Sequence, residues 1–383
     1  MELKKDIYYV GVQDRNNNAG IRESYNSYLI KGTEKNVLIE TVKEDLIEEY
    51  LENISKYIDI KEIDYLVINH AEPKFSGGIY KILELNPNMV ICGTKMAIDF
   101  VRNIVNIDFK SEVLTANDSI ELGEKELKFF AFPMLPWPDS MYTYLKEDKM
   151  LFSGDTFSTY SMDSMFCDDF DLLKVEYKKY LDDILGPFKT PFLVNALSKI
   201  SLIHIDTICP GHGALINKNI DEIIEQYKNW CLIKEKNSKI TICYTSTSGY
   251  TKKIAKALIK GINSLNIEVV EYDLSIDDIE KAKKDVISSA GILLGTPTVL
   301  SEADPKIYEL ISGLNPLINK GTNALVFGSY AWSGEATINI IERLKTLKFN
   351  VSEPLKIKLN PSDHDLEMIE EIGRQFAKKI INE

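Results

Sequence analysis

The sequence lacks the features of a membrane protein and of a disulfide-stabilised protein. Its 383 residues include five cysteines, and no two of them form a C-x-x-C pair. An odd, scattered set of cysteines indicates reduced thiols and excludes a rubredoxin-like or zinc-knuckle site. No apolar run approaches the ~18 residues that a membrane-spanning helix needs, and the N-terminal stretch becomes polar after a few residues. We therefore expect a cytoplasmic protein without a membrane segment.

An excess of positive charge is also missing. The formal net charge is -13, and no run of Lys and Arg with interleaved aromatic residues offsets it. This balance argues against a polyanion-binding surface, so we expect no nucleic acid partner. Hydrophobic residues make up 44% and charged residues 27% of the chain, as in an ordinary globular protein, and the length favours two domains.

The first 235 residues alternate irregularly between short apolar strands and amphipathic helices. Runs of strands with interposed helices predict a layered α/β sandwich better than a single doubly wound sheet. A polar stretch at residues 234–239 follows an apolar-faced helix and precedes a new strand, so it is the predicted linker between domains 1–235 and 239–383. The strand candidates of the first domain are IYYVGV, SYLIKG, VLIETV, YLVINH, MVICGT, ELKFFAFP, KMLFSGD and DTICPG.

Residues 239–383 follow a regular pattern of five strands alternating with five helices. This pattern predicts a parallel sheet covered on both faces, with ligands bound where loops leave the carboxyl ends of the strands. The expected plan is therefore flavodoxin-like.

The loop after the first of these strands, TSTSGYTKK, has the composition of a phosphate-binding turn. Its hydroxyls, its glycine and the free N–H groups of the helix that follows would hold a phosphate monoester without a lysine. The alternative is a Ser/Thr-rich turn with ordinary helix capping. The candidate residues are Ser246, Thr247, Ser248, Gly249, Tyr250 and Thr251.

Two further loops follow the third and fourth strands, and they favour a flavin-binding site over a turn that binds no ligand. One offers a rigid backbone turn for the edge of a flavin ring, and the other offers aromatic side chains for stacking. The absence of G-x-G-x-x-G makes a dinucleotide fold the weaker choice. The predicted FMN-binding residues here are Pro297, Thr298, Val299, Leu300, Ser329, Tyr330, Ala331, Trp332, Ser333 and Gly334.

A candidate metal site begins at NHAEPKFSGG, where His70 and Glu72 follow a predicted buried strand. Imidazole and carboxylate are ordinary ligands of iron and zinc, whereas the next side chains, Lys74 and Phe75, are not. The segment therefore looks like a metal site that lacks part of its ligand set.

With its P-T and S-Y-x-W-S-G loops, the sequence resembles the flavodiiron proteins, also called A-type flavoproteins, over nearly the whole chain. The resemblance implies a metallo-β-lactamase-like αββα sandwich followed by a flavodoxin-like doubly wound five-stranded parallel sheet. It also implies FMN, a redox donor protein or reductase, and a head-to-tail homodimer or dimer of dimers. His70, Glu72, Asp155 and His212 match positions of the family's diiron pattern.

Three positions depart from that pattern: Lys74 occupies the position of an aspartate in the family, and Phe75 and Pro136 occupy the positions of histidines. An intact diiron centre is therefore not expected, because each lost donor weakens metal binding strongly. We expect the Lys74 ammonium to replace metal charge beside Glu72 and Asp155, while Phe75 fills the vacated space. A single ion on the four remaining ligands stays open as an alternative.

The expected function is that of an FMN-binding flavoprotein that carries electrons as an oxidoreductase, with no catalytic residue yet assigned. One alternative is an O2 or NO reductase that works with an altered or mononuclear iron site. Another is a non-catalytic redox-sensing or binding module.

Overall fold

The computed structural model describes residues 1–14, 23–116, 118–160, 162–232 and 237–381. The chain divides into two compact units, Met1–Leu232 and Ile233–Glu383. Of the predicted linker, residues 234–236 lie outside the described residues, and residues 237–239 begin the first strand of the second unit. None of the helices within the described ranges combines the length and hydropathy that a membrane span requires.

The first unit contains two sheets and a small hairpin. The larger sheet has the order β1-β2-β5-β6-β7-β8-β9, the smaller sheet has the order β10-β11-β12-β13-β14, and β3 pairs with β4. These strands are β1 (Glu2–Lys4), β2 (Ile7–Tyr9), β3 (Val12–Asp14), β4 (Glu23–Tyr25), β5 (Tyr28–Lys31), β6 (Asn36–Ile39), β7 (Tyr65–Val67), β8 (Val90–Gly93), β9 (Lys110–Val113), β10 (Ser119–Glu121), β11 (Glu126–Ala131), β12 (Met141–Leu145), β13 (Met150–Phe152) and β14 (Thr207–Cys209).

Helices of the first unit connect the parallel strands and cover the sheets. They are α1 (Ile47–Ser55), α2 (Pro73–Ser76), α3 (Ile79–Leu85), α4 (Lys95–Val105), α5 (Phe170–Tyr180), α6 (Val194–Ile200) and α7 (Ile220–Cys231). Shorter 3-10 helices span Glu44–Leu46, Ile60–Glu62 and Gly186–Phe188, and π-helical turns span Leu181–Leu185 and Lys189–Leu193.

Alternating side chains of the larger sheet supply two separate apolar cores. In β6, Val37 and Ile39 belong to one cluster with Phe129 and Phe152 of the smaller sheet. The intervening residue, Leu38, belongs to a second cluster with buried residues of α1, α3 and α4. Since neighbouring strand residues face opposite sides of a sheet, β6 must be covered on both faces. The predicted αββα sandwich is confirmed.

Residues 156–206 hold elements that the sequence pattern did not predict, chiefly α5, α6 and the π-helical turns between them. On α5, Leu172 and Val175 are each 79% exposed, so the apolar residues of this helix do not form one buried stripe. Because helix prediction depends on such a stripe, the pattern carried little signal here.

The second unit is the predicted parallel sheet with helices on both faces. Its strands are β15 (Asn237–Tyr244), β16 (Val269–Asp273), β17 (Ser289–Gly295), β18 (Asn323–Tyr330), β19 (Asn350–Val351) and β20 (Leu355–Lys358), in the order β16-β15-β17-β18 with β19 and β20 both beside β18. Its helices are α8 (Tyr250–Asn263), α9 (Ile279–Ser288), α10 (Pro305–Ser312), α11 (Pro316–Asn319), α12 (Glu335–Thr346) and α13 (Asp363–Ile381).

The fifth strand position of this sheet is shared by two short segments. β19 pairs with residues 323–324 of β18, and β20 pairs with residues 327–330. Pro354 lies between them and has no backbone N–H to donate to the sheet. The flavodoxin-like plan is confirmed with an interrupted edge strand.

Helices α8 and α13 approach each other at two glycines. A Cβ on Gly261 would lie 1.9 Å from the carbonyl oxygen of Glu370, and one on Gly373 would lie 2.4 Å from that of Leu258. Only residues without a side chain permit this backbone contact. The pair therefore sets the distance between the two helices.

We expect Gly261→Ala to lower the free energy of unfolding by about 1–2 kcal/mol, because overpacking against backbone outweighs alanine's better helix propensity. The control is Lys260→Ala, which removes a surface pair of an ammonium that is 75% exposed and should leave the unfolding midpoint nearly unchanged. Urea unfolding followed by circular dichroism tests both. A Gly261→Ala protein more stable than the parent would contradict this packing.

Candidate metal and flavin sites

The residues predicted to bind metal converge where several strands of the first unit end. His70 lies just beyond β7 and Glu72 lies at the start of α2. Asp155 follows β13, and His212 follows β14, the parallel neighbour of β13. Strand ends of a layered α/β fold bring such loops to one edge, so residues distant in sequence share one site.

His70, Glu72 and Asp155 form the compact part of the cluster. The His70 Nε2 atom lies 3.6 Å from Glu72 Oε2 and 3.5 Å from Asp155 Oδ2. Among the described residues, these three form the one group of His, Cys, Asp or Glu side chains whose ligand atoms all lie within 4.8 Å of one another. The buried Nε2 atom has no hydrogen-bond partner. A proton or a metal cation on this nitrogen would face both carboxylates.

The other nitrogen of His70 faces Glu40, which sequence analysis did not identify. Nδ1 lies 3.5 Å from Glu40 Oε1, and that oxygen accepts a hydrogen bond of 3.0 Å from the Asn69 backbone. A carboxylate at Nδ1 orients an imidazole so that Nε2 is presented to a ligand. Burial acts to lower the pKa of His70, but the carboxylates of Asp155, Glu40 and Glu72 outweigh it and raise the pKa well above its usual value.

His212 approaches Asp155 from the opposite side. Its Nε2 atom lies 3.7 Å from Asp155 Oδ1 and 3.8 Å from Glu23 Oε1, while Nδ1 contacts the Ser24 carbonyl. Tyr180 donates a hydrogen bond of 3.0 Å to the same Oδ1 atom. Asp155 thus has one oxygen directed to each histidine, but the His212 side does not gather three ligand atoms.

Lys74 and Phe75 lie between the two halves of the cluster. The Lys74 ammonium is 3.4 Å from Glu23 Oε1 and 3.7 Å from Glu72 Oε1. The buried ring of Phe75 has its centroid 4.7 Å from the rings of both His70 and His212. A hydrocarbon ring and an ammonium therefore lie where a second cation would need ligands.

The structure adds Glu23 to the carboxylates that sequence analysis expected beside Lys74. The Lys74 ammonium forms ion pairs with Glu72 and Glu23. Burial acts to lower the pKa of Lys74, but Glu72, Glu23 and Asp155 outweigh it and raise the pKa. Glu23 belongs to the β3–β4 hairpin, which no sequence pattern connected to the metal residues. A lysine two positions from a candidate ligand indicates a nearby carboxylate, but it does not say which one.

The segment around Pro136 is fastened to the His70 loop through Asp139. Asp139 Oδ2 accepts a hydrogen bond of 2.6 Å from the Ala71 backbone. Pro136 has no donor atom for a metal, so this segment supports the loop and supplies no ligand in its place.

The second candidate site lies at the carboxyl ends of β15, β17 and β18, which are neighbours in the parallel sheet. Backbone hydrogen bonds join the three loops: Thr245 donates to Gly295 over 3.0 Å, and Thr298 donates to Ser329 over 3.2 Å. The predicted FMN-binding loops therefore lie side by side.

The first loop forms an open turn at the start of α8. Gly249 has φ +79°, and a Cβ there would meet no atom within 4 Å. Thr247 and Ser248 are exposed, and Ser246 accepts a hydrogen bond of 3.2 Å from the Lys252 backbone. Thr251 is buried, and its hydroxyl lies 3.1 Å from that of Ser329. The open turn and the helix N-terminus suit a phosphate, while Thr251 links two loops.

The other two loops present exposed apolar and aromatic surface. Trp332 is 92% exposed and Leu300 is 90% exposed, and Val299 is also exposed. Tyr330 is half-buried between Gly334, whose Cβ would meet its ring at 3.0 Å, and the Lys356 ammonium. These groups fit a flat ring that binds at this sheet edge. The remaining predicted residues, Pro297, Thr298, Ala331 and Ser333, lie in the same loops.

The two units together define a class of protein in which a β-lactamase-like domain is followed by a flavodoxin domain. Residues 24–213 match the ODP family beta lactamase, and residues 242–373 match flavodoxin. The chain belongs to the flavodiiron protein family, as the sequence resemblance predicted.

Relatives that match over almost the whole chain support this assignment. The flavo-diiron protein FprA2 of Clostridium acetobutylicum is 35% identical, and the alignment covers 99% of each chain. The anaerobic nitric oxide reductase flavorubredoxin of Vibrio vulnificus is 35% identical, over 93% of this chain and 73% of that protein. The solved flavodiiron protein of Giardia intestinalis is 27% identical, with a TM-score of 0.71 over 100% of this chain and 97% of that one.

The loop that carries His212 is held by Asn26. Its Nδ2 donates to the carbonyls of Pro210 and Gly213, both at 2.9 Å, and its Oδ1 accepts from Tyr9. Removing a buried donor leaves its acceptors unpaired, which costs more than the hydrogen bond itself contributes.

We expect Asn26→Ala to lower the free energy of unfolding by about 3 kcal/mol, since the Gly213 carbonyl and the Tyr9 hydroxyl lose their partner. The Pro210 carbonyl keeps the hydrogen bond that it accepts from Tyr28. Tyr9→Phe is the control, because it removes a single hydroxyl from the same network and should cost about 1 kcal/mol. Urea titration of both variants measures the difference. Equal losses would show that Asn26 does not fasten this loop.

Proposed function

We propose that this chain, a flavin oxidoreductase by family, holds FMN on the three loops of its second unit and transfers electrons without a two-iron centre. The observation that carries the proposal is the position of Lys74 and Phe75 between His70 and His212. The open turn at Gly249 and the exposed aromatic surface at Trp332 support FMN at the other site.

Bound FMN would supply the capacity to accept and release one or two electrons. The N–H groups at the start of α8 and the exposed hydroxyls of Thr247 and Ser248 would hold its phosphate. Tyr330 and Trp332 would provide stacking surface for the ring, and the backbone at Pro297 and Thr298 would position it. The redox partner is a donor protein or reductase, and the assembly is a head-to-tail homodimer.

The metal residues fit the family's iron pair only in part. His70, Glu72 and Asp155 offer three converging donors, with the free Nε2 of His70 aimed between the two carboxylates. On the other side, His212 and one oxygen of Asp155 face an ammonium, a phenol and a benzene ring. That side lacks the ligands of a second iron, so no reaction step is assigned to an iron pair.

Reduction of O2 or NO at an altered iron site is the second candidate, favoured by the three converging donors and by relatives named nitric oxide reductase. In this reading a single ion on His70, Glu72 and Asp155 would provide the reaction site. Turnover of NO by the purified protein would distinguish this reductase activity from electron transfer to a protein acceptor. Turnover with any electron donor would distinguish both of these functions from that of a redox sensor.

The FMN assignment predicts a charge effect at Ser248, which is exposed in the turn. We expect Ser248→Asp to weaken FMN binding at least tenfold relative to Ser248→Asn, because two like charges a few ångströms apart repel. Riboflavin has no phosphate and should bind the two variants alike. Flavin fluorescence titration measures both ligands. Equal FMN affinities in the two variants would show that this loop does not bind the FMN phosphate.

The proposal that the iron pair is incomplete predicts that the parent protein has a low iron content and that restoring the family's ligands raises it. We expect the parent protein, reconstituted with Fe2+, to retain fewer than two irons per chain, and Lys74→Asp with Phe75→His and Pro136→His to approach two. NO consumption should rise in the same variant. Elemental analysis and an NO electrode provide the measurements, and a His70→Asn version of the triple variant is the control. Two irons in the parent would contradict the proposal.

A further inference from the structure

The donors around His70 are spaced for one metal ion. Ligand atoms about 2.1 Å from an ion and at tetrahedral angles lie about 3.4 Å apart. The Nε2 atom of His70 lies 3.5 Å from Asp155 Oδ2 and 3.6 Å from Glu72 Oε2. All three ligand atoms lie within 4.8 Å of one another, and an inward movement of the side chains would bring them to bonding distance from one ion.

The unpartnered Nε2 atom independently points to a cation. His70 is 1% exposed, and its Nε2 atom has no hydrogen-bond partner although two carboxylate oxygens face it. An imidazole nitrogen that faces two carboxylates in a buried site needs a positive charge there, and a metal ion between the three groups would contact both carboxylates at once, whereas a proton on Nε2 would not. Glu40 faces the opposite nitrogen and keeps the ring in this orientation.

On the His212 side of Asp155, the Lys74 ammonium already supplies a positive charge. The Lys74 ammonium lies 3.4 Å from Glu23 Oε1 and 3.7 Å from Glu72 Oε1. The Asp155 oxygen on this side accepts a hydrogen bond from Tyr180, and Phe75 packs against the His212 ring. Charge and space therefore disfavour a second ion here.

The carboxylates of the cluster outnumber its ammonium group. Glu23, Glu40, Glu72 and Asp155 carry four negative charges when ionised, and Lys74 supplies one positive charge. One divalent ion would reduce this buried excess of negative charge.

We propose that the first unit binds one divalent first-row metal ion on His70, Glu72 and Asp155, and that the Lys74 ammonium, held by Glu23 and Glu72, takes the place of the second ion. The proposal rests on the proposed function in taking the iron pair to be incomplete. One imidazole and two carboxylates suit Fe2+, Mn2+ or Zn2+ better than the thiolate-seeking ions.

The test is Mn2+ binding to the full-length FMN-loaded protein, measured by equilibrium dialysis and by the EPR signal of free Mn2+. We expect one ion per chain in the parent, at least tenfold weaker binding in Glu72→Gln and none in His70→Asn. His212→Asn should still bind one ion. Lys74→Met should bind Mn2+ at least tenfold more tightly, since a neighbouring positive charge is removed.

Opposite changes of Mn2+ affinity in variants of residues 72 and 74 cannot arise from a general loss of folding. Circular dichroism and the FMN content of each sample check directly that the variants are folded. No bound ion, two bound ions, loss of the ion in His212→Asn, or weaker binding in Lys74→Met would each overturn the proposal. A protein that binds one ion but no FMN would instead contradict the proposed function and leave this site in place.

Discussion

The Asp155 carboxylate, buried between two imidazoles, is the constraint on which the arrangement of the first unit's site depends. Each of its oxygens faces one histidine, and a charge in such a place needs compensation within a few ångströms. The surrounding side chains compensate the charge differently on the two sides of Asp155. On the His70 side they leave room among three donors, and on the His212 side they supply a phenol, an ammonium and a hydrocarbon ring.

The second unit meets a different constraint, because its candidate site is made mainly from backbone. Three adjacent parallel strands end at one edge, and hydrogen bonds between their loops keep the turns in register. The glycine contact between α8 and α13 fixes the helix that follows the candidate phosphate-binding turn. A rigid scaffold of this kind needs few specialised side chains, which is consistent with a site rich in Ser, Thr and Gly.

Sequence was sufficient where a residue's position follows from a regular element. The five-strand alternation predicted the flavodoxin-like unit, and the end of a buried strand pointed to His70 and Glu72 as a candidate metal site. Asp155 and His212 were added by the resemblance to flavodiiron proteins. Glu23 and Tyr180 were not predicted, because each reaches the cluster from an element that had no periodic signal. Glu40 directly follows the predicted strand β6, but nothing in the sequence connected it with His70. Tyr180 ends α5, a helix with exposed apolar side chains, and Glu23 comes from a short hairpin.

The ring of Phe75 also has a consequence for the movement of protons. It separates the two imidazoles and has no atom that can accept or donate a hydrogen bond, so no relay of side chains or water runs directly from His70 to His212 through it. Two connections lead around the ring: the Asp155 carboxylate, with one oxygen toward each imidazole, and the chain of Glu72, Lys74 and Glu23. A proton that passes between the two sides of the cluster must therefore go by way of a carboxylate and cannot take the direct line between the two imidazoles.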